Sequence, residues 1–148
     1  MTSRRFPNLL NLLIPAMGKP RHTRIGAQGE ELAAKFLEGQ GFQIMERNYR
    51  FERAEVDLIC FEPAEVYEQG GEIVFVEVKT RSGRGFGRPE EAVTPEKQAH
   101  IVRASRAFLY EFQLEGAPCR FDVISVHMGD RSEPEITHFR DAFVEQRS

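Results

Sequence analysis

Apolar and polar residues alternate through EVDLICFE (55–62) and run almost unbroken through EIVFVEVK (72–79), patterns that predict two strands. In the second, a period of two places Ile73, Phe75, Glu77 and Lys79 on one face and Val74, Val76 and Val78 on the other. Two largely apolar faces predict a central strand covered by helices on both sides. FQIMERNYR and RFDVISVHM read as further strands and EITHF as an edge strand. A helix is expected from Thr23 to about Gln40, ended by Gly39 and Gly41. A second is expected to start at Thr94-Pro95, with Thr as N-cap and Pro in the first turn, and to run to about Leu114. PAEVYEQGG between the second and third strands reads as an acidic turn. The resulting order, α-β-β-β-α-β-β, predicts an α/β fold with a mixed central sheet flanked by helices.

Pro7, Pro15 and Pro20 make residues 1–20 a flexible basic tail, leaving 21–148 as a single domain; a true start at Met17 is an alternative reading of the same stretch. The 41% hydrophobic content suffices for a core. Cys60 and Cys119 lie in strand-like apolar contexts and read as reduced core thiols. No apolar run reaches the roughly 20 residues of a membrane helix, so a cytoplasmic protein without membrane contact is expected.

The formal net charge of −3 argues against a generic basic coat for nucleic acid, yet the charges are unevenly placed. Four Lys/Arg and no acid occur from Lys79 to Arg88, whereas five glutamates and no base occur from Glu62 to Glu77. Asp57, like Glu77, is a carboxylate inside an apolar strand, and a hairpin across the acidic turn would bring the two together. Their repulsion requires a positive partner, either Lys79 or a divalent cation. Glu30 falls on the same helical stripe as Ala33, Ala34 and Leu37, so a third acid faces inward, with Gly26 and Gly29 leaving room beside it. Hard carboxylate oxygens of this kind suit Mg²⁺ or Mn²⁺. Lys79 would orient an attacking water or stabilise developing phosphorane charge, and Arg81, Arg84 and Arg88 in the glycine-rich RSGRGFGR would meet phosphates. Lys97 shares a helix face with Ile101, Ser105 and Phe108 and points either toward the site or into solvent. Arg120 and Asp122 share a strand face and are expected to pair. The four histidines show no ligand spacing and are expected to face solvent.

Asp57, then Glu77-Val78-Lys79 on the following strand, with an inward Glu on a preceding helix, resembles the PD-(D/E)xK nuclease superfamily. More closely, GAQGEELAAKFLEGQGF, RNYR with AEVDLI, IVFVEVKTR, FGRPEEAVTPEKQAHIVRASRAFL and CRFDVI are similar to the YraN-like family of bacterial proteins. These stretches span roughly residues 24–126. Ala54 stands where that family usually has Gly, and the acidic insert after Glu62 is longer than its pattern. The resemblance implies a restriction-endonuclease-like core, Asp57 and Glu77 as metal ligands, Lys79 assisting the water and Glu30 completing the site. It implies a metal-dependent endonuclease acting on DNA, structured or damaged DNA in repair or recombination being the expected substrate. Two other readings stay open: a nucleic-acid-binding module without turnover, and a protein-interaction module whose acids are structural. Apolar edge residues such as Ile136 would support a homodimer.

Overall fold

A central strand buried on both faces organises the computed structural model, which describes residues 24–66, 69–82, 93–129 and 133–145. The expected tail, Met17, His22, Arg84, Arg88 and the loop glycines lie outside the described residues. The elements are α1 (Arg24–Gly39), β1 (Gln43–Phe51), β2 (Ala54–Pro63), β3 (Gly71–Ser82), α2 (Pro95–Glu111), β4 (Cys119–Met128) and β5 (Glu135–Phe143). Their order is the one expected from the pattern of apolar positions. The strands form one mixed sheet in the order β1-β2-β3-β4-β5. β3 and β4 are parallel and joined through α2, and the other neighbours are antiparallel.

The two faces of β3 are covered as its periodicity requires. Val74, Val76 and Val78 pack with Ala33, Ala34 and Leu37 of α1. Ile73 and Phe75 pack with Ile101, Ala104 and Phe108 of α2. Each fully buried Val, Leu, Ile or Phe side chain among these contributes about 1.5–3 kcal/mol. Thr94 caps α2 as expected, its hydroxyl accepting the Lys97 N–H at 3.2 Å with Pro95 following. Gly29 allows α1 to lie against the far end of β3, since a Cβ there would sit 1.9 Å from Thr80 Oγ1.

Several elements differ from the pattern-based expectation. β3 continues through Arg81 and Ser82, beyond the expected strand 72–79, because parallel pairing to His127 and Met128 of β4 carries the strand onward. α2 stops at Glu111, and Gln113 beyond it takes a left-handed backbone (φ 55°), so the helix ends before Leu114. Cys60 is buried, but Cys119 is exposed, being the first residue of β4 at the margin of the helix-covered area. Ile136 is partly buried against the α1-side core instead of standing free on the sheet edge.

His138 overturns its solvent-facing expectation. It sits beneath α1, its ring edge-on to Phe36 and Phe42, with Nε2 2.7 Å from Asp122 Oδ2. Arg120 and Asp122 do pair: Arg120 Nε and Nη2 donate to the two Asp122 oxygens at 3.0 and 3.1 Å. Arg120 Nη1 donates to Glu62 at 2.6 Å and to Glu72 at 3.1 Å, and the Asp141 N–H donates to Asp122 Oδ1 at 2.9 Å. Burial alone would raise the Asp122 pKa, but the bonds from His138, Arg120 and the Asp141 backbone prevail and hold it below its ordinary value of 3.8.

Replacing Asp122 by Asn leaves the buried Arg120 without its main counter-charge and is expected to cost about 3 kcal/mol, since Glu62 and Glu72 remain. Because the folded pKa is depressed, this contribution is present above the ordinary carboxylate range and fades as pH falls through the folded value. Urea midpoints of wild type and Asp122→Asn should therefore differ widely at pH 7 and converge in strong acid.

Candidate active site

The last paired positions at the open end of the β2–β3 hairpin are Leu58 and Val76. One residue beyond them, Asp57 and Glu77 project on the face that carries Ile59 and Phe75. Here a side chain takes over from the backbone ladder: Asp57 Oδ2 accepts the Val78 N–H at 2.8 Å. That bond ties the carboxylate to the neighbouring strand. The short acid-x-Lys spacing then returns Lys79 to the same face as Glu77, with its Nζ 3.5 Å from Glu77 Oε1. From the first turn of α2, Lys97 reaches the same oxygen at 2.7 Å. Of the two readings of Lys97, the structure selects the inward one.

These groups line a cleft of about 690 Å³ where both helices meet the ends of β2 and β3. Glu30, Asp57, Glu77, Lys79 and Lys97 all border it, with Arg53 at the β1–β2 turn. Arg81, two residues past Lys79, does not border it. Glu77 is only 4% exposed. Burial raises the Asp57 pKa well above its ordinary value of 3.8; the adjacent Glu77 charge adds to this, the Val78 N–H opposes it, and Glu30 adds a smaller increment. Lys79 is held below the ordinary lysine value, by burial first and then by its neighbour Lys97. For Lys97 burial acts in the same downward direction, but its contact with Glu77 prevails and raises it.

Asn48 is the site residue that sequence reasoning missed. It stands in β1 with a left-handed backbone, φ 51°. Its Nδ2 donates to Glu30 at 2.9 Å and to Glu55 at 3.2 Å, linking α1 to β2 at the rim of the cleft. Asn tolerates this conformation better than most residues but is a poor strand former. An Asn inside an otherwise strand-like run was the available signal. Arg47 reinforces the link between α1 and β1 by pairing with Glu31 at 2.7 Å.

The donor set suits a hard divalent cation in part. Asp57 and Glu77 place carboxylate oxygens side by side at a cost that a cation would relieve, and Mg²⁺ is commonly held by one or two carboxylates while keeping several waters. Among the described residues no group of three His, Cys, Asp or Glu is gathered closely enough to hold an ion. Glu30 is anchored by Asn48 beside the pair, not assembled with it.

A carboxyl group with a raised folded pKa binds its proton more tightly folded than unfolded, so its contribution to stability is lost as pH rises through that value. Asp57→Asn keeps an acceptor for the Val78 N–H and offers Glu77 an amide donor in place of a second carboxylate. In chelator-containing buffer this variant is expected to be about 1 kcal/mol more stable than wild type at pH 7. The gain should shrink toward pH 4, as read from urea midpoints at both pH values.

Residues 29–126, a span containing every site residue named above, match the Uncharacterised protein family UPF0102. A UPF0102 protein of Chlorobaculum parvum is 46% identical over 125 residues, covering 81% of this chain and 92% of the relative. A UPF0102 protein of Chlorobium chlorochromatii is 44% identical over 137 residues, covering 88% of this chain and 100% of the relative. One from Rhodococcus opacus is 44% identical over 119 residues, covering 80% and 95%. The YraN-like resemblance carried by the motifs is shown at this level, and the chain belongs to the UPF0102 family.

Proposed function

We propose that the chain is a metal-dependent nuclease of the PD-(D/E)xK type, with a restriction-endonuclease-like core, that hydrolyses phosphodiester bonds of DNA. The observation that carries this reading is the meeting of Asp57, Glu77 and Lys79 in one cleft, with Lys97 brought in from α2. Such a set has a chemical use in phosphodiester hydrolysis, and it is an uncomfortable choice for a purely structural strand end.

In this reading Asp57 and Glu77 would hold Mg²⁺ or Mn²⁺, which would supply charge neutralisation at a phosphoryl oxygen and acidify water. Asp57 is fixed by the Val78 N–H, so its carboxylate has a defined direction. Lys79 stands beside Glu77 on a rigid strand, where its ammonium orients water and meets charge developing on phosphorus. Its lowered pKa makes proton exchange with that water easier than for an ordinary lysine. Glu30 adjusts the site through its charge on Asp57 and its anchor at Asn48. Lys97 and Arg81 contribute positive charge toward the phosphate backbone, and Arg84 and Arg88, outside the described residues, are assigned to the same task. Structured or damaged DNA, met in the cytoplasm during repair or recombination, is the proposed substrate. No helix among the described residues is long and apolar enough to cross a membrane.

That no three-ligand group is gathered among the described residues favours one alternative, a nucleic-acid-binding module on the same scaffold without turnover. Labelled single-stranded, duplex, flap and branched DNA, with RNA alongside, incubated with Mg²⁺ or Mn²⁺ separates the two. Wild type should cleave at least one DNA, and Glu77→Ala or Lys79→Met should each lower the rate by about 100-fold or more. Binding without cleavage, with affinity falling steeply as salt rises, would instead support the binding module. Equal cleavage by wild type and Glu77→Ala would sink the assignment.

A further inference from the structure

Two lysines converge on a single oxygen. Glu77 Oε1 receives Lys97 Nζ at 2.7 Å and Lys79 Nζ at 3.5 Å, and the Glu77 side chain is only 5% exposed. The two lysines are not equivalent. Lys79 belongs to the central strand, and its side chain is 21% exposed; Lys97 rises from the first turn of α2, and its side chain is 43% exposed. A flexible four-carbon stem already half in water can swing its ammonium outward with little loss of solvation. Lys79 is the less exposed of the two, so moving its ammonium fully into water requires a larger rearrangement.

Crowding at the shared oxygen makes the difference consequential. Two ammonium groups already sit against Glu77 Oε1. A divalent cation taking that oxygen would be repelled by both, a cost that is relieved when an ammonium withdraws or an anion enters. Lys97 is the group able to withdraw, and it makes the closer contact with the oxygen that a cation would take.

Resting on the metal-site reading above, we propose that Lys97 is a displaceable internal counter-ion of Glu77. It holds the carboxylate while no divalent cation is bound and gives up that oxygen when one enters. Its freed ammonium then turns to the anionic phosphodiester, so that cation and phosphate binding favour one another. Lys97 is on this account a positioning residue that couples two ligands, beyond a general contributor of positive charge.

Direct titration of the full chain with Mn²⁺ alone, following free Mn²⁺ by its electron paramagnetic resonance signal, tests this without any turnover. Lys97→Met removes the competitor and should tighten Mn²⁺ binding about tenfold, the equivalent of one charge-assisted hydrogen bond. Lys97→Gln should do the same and provides a second, more polar variant should Lys97→Met fold poorly; Lys97→Arg should return the affinity toward wild type. Arg53→Gln removes a charge from the same cleft without touching Glu77 and should stay within about twofold of wild type. Unchanged or weaker Mn²⁺ binding in both Lys97→Met and Lys97→Gln would overturn the proposal. So would equal tightening in Arg53→Gln, which would reduce the effect to bulk charge. In either case Mn²⁺ binding by wild type that disappears in Glu77→Ala would leave the metal-site reading standing. No Mn²⁺ binding by any of the proteins would overturn that reading and this proposal together.

Discussion

A carboxylate built into a strand buried on both faces must be supplied with positive charge, and the arrangement around Glu77 follows from that requirement. β3 is covered by α1 on one face and α2 on the other, so Glu77 keeps little contact with water to solvate it. The hairpin partner makes matters worse by presenting Asp57 next to it. Lys79 answers from the same strand and Lys97 from the helix that crosses over to β4. The α2 crossover thus does two things at once: it buries Phe75 and delivers an ammonium to the end of the strand.

The protein contains a second charged cluster, and the contrast between the two is informative. Around Asp122 each oxygen accepts two hydrogen bonds: Oδ1 from Arg120 Nε and the Asp141 N–H, Oδ2 from Arg120 Nη2 and His138. The surrounding rings of Phe36 and Phe42 seal it. Fully bonded, it holds the acid in its ionised form and ties β4 to β5. At Asp57 and Glu77 the balance is incomplete, since the Asp57 pKa is driven upward where that of Asp122 is held down. One network is a structural clamp. The other keeps unfavourable electrostatics in an open cleft, the condition under which an incoming cation or phosphate gains most.

Much of this was legible along the chain because strand periodicity is local. The parity of Phe75, Glu77 and Lys79 needs only the alternation of side chains, and the turn between the second and third strands implies the hairpin that brings Asp57 to Glu77. The helix stripe of Ala33, Ala34 and Leu37, with Glu30 on it, needs only the helical repeat. Thr94-Pro95 announces its helix by capping chemistry alone. Each of these follows from interactions between residues a few positions apart.

Other features depended on partners remote in sequence. Arg81 and Ser82 are strand because β4 pairs with them, against a local composition that reads as loop. His138 is buried because Asp122 and the α1-side aromatics surround it, and nothing near it in the chain says so. Asn48 became a site residue when α1 and β2 were brought to either side of its amide. Lys97, ambiguous on its own helix, was decided by the crossover that sets α2 over the end of β3. By itself, then, the sequence determined the order of elements, the faces of its strands and the acids and lysine that share one of them. Only the tertiary structure decided which charges meet, because periodicity fixes the direction of a side chain while its partner is chosen by the packing of distant elements.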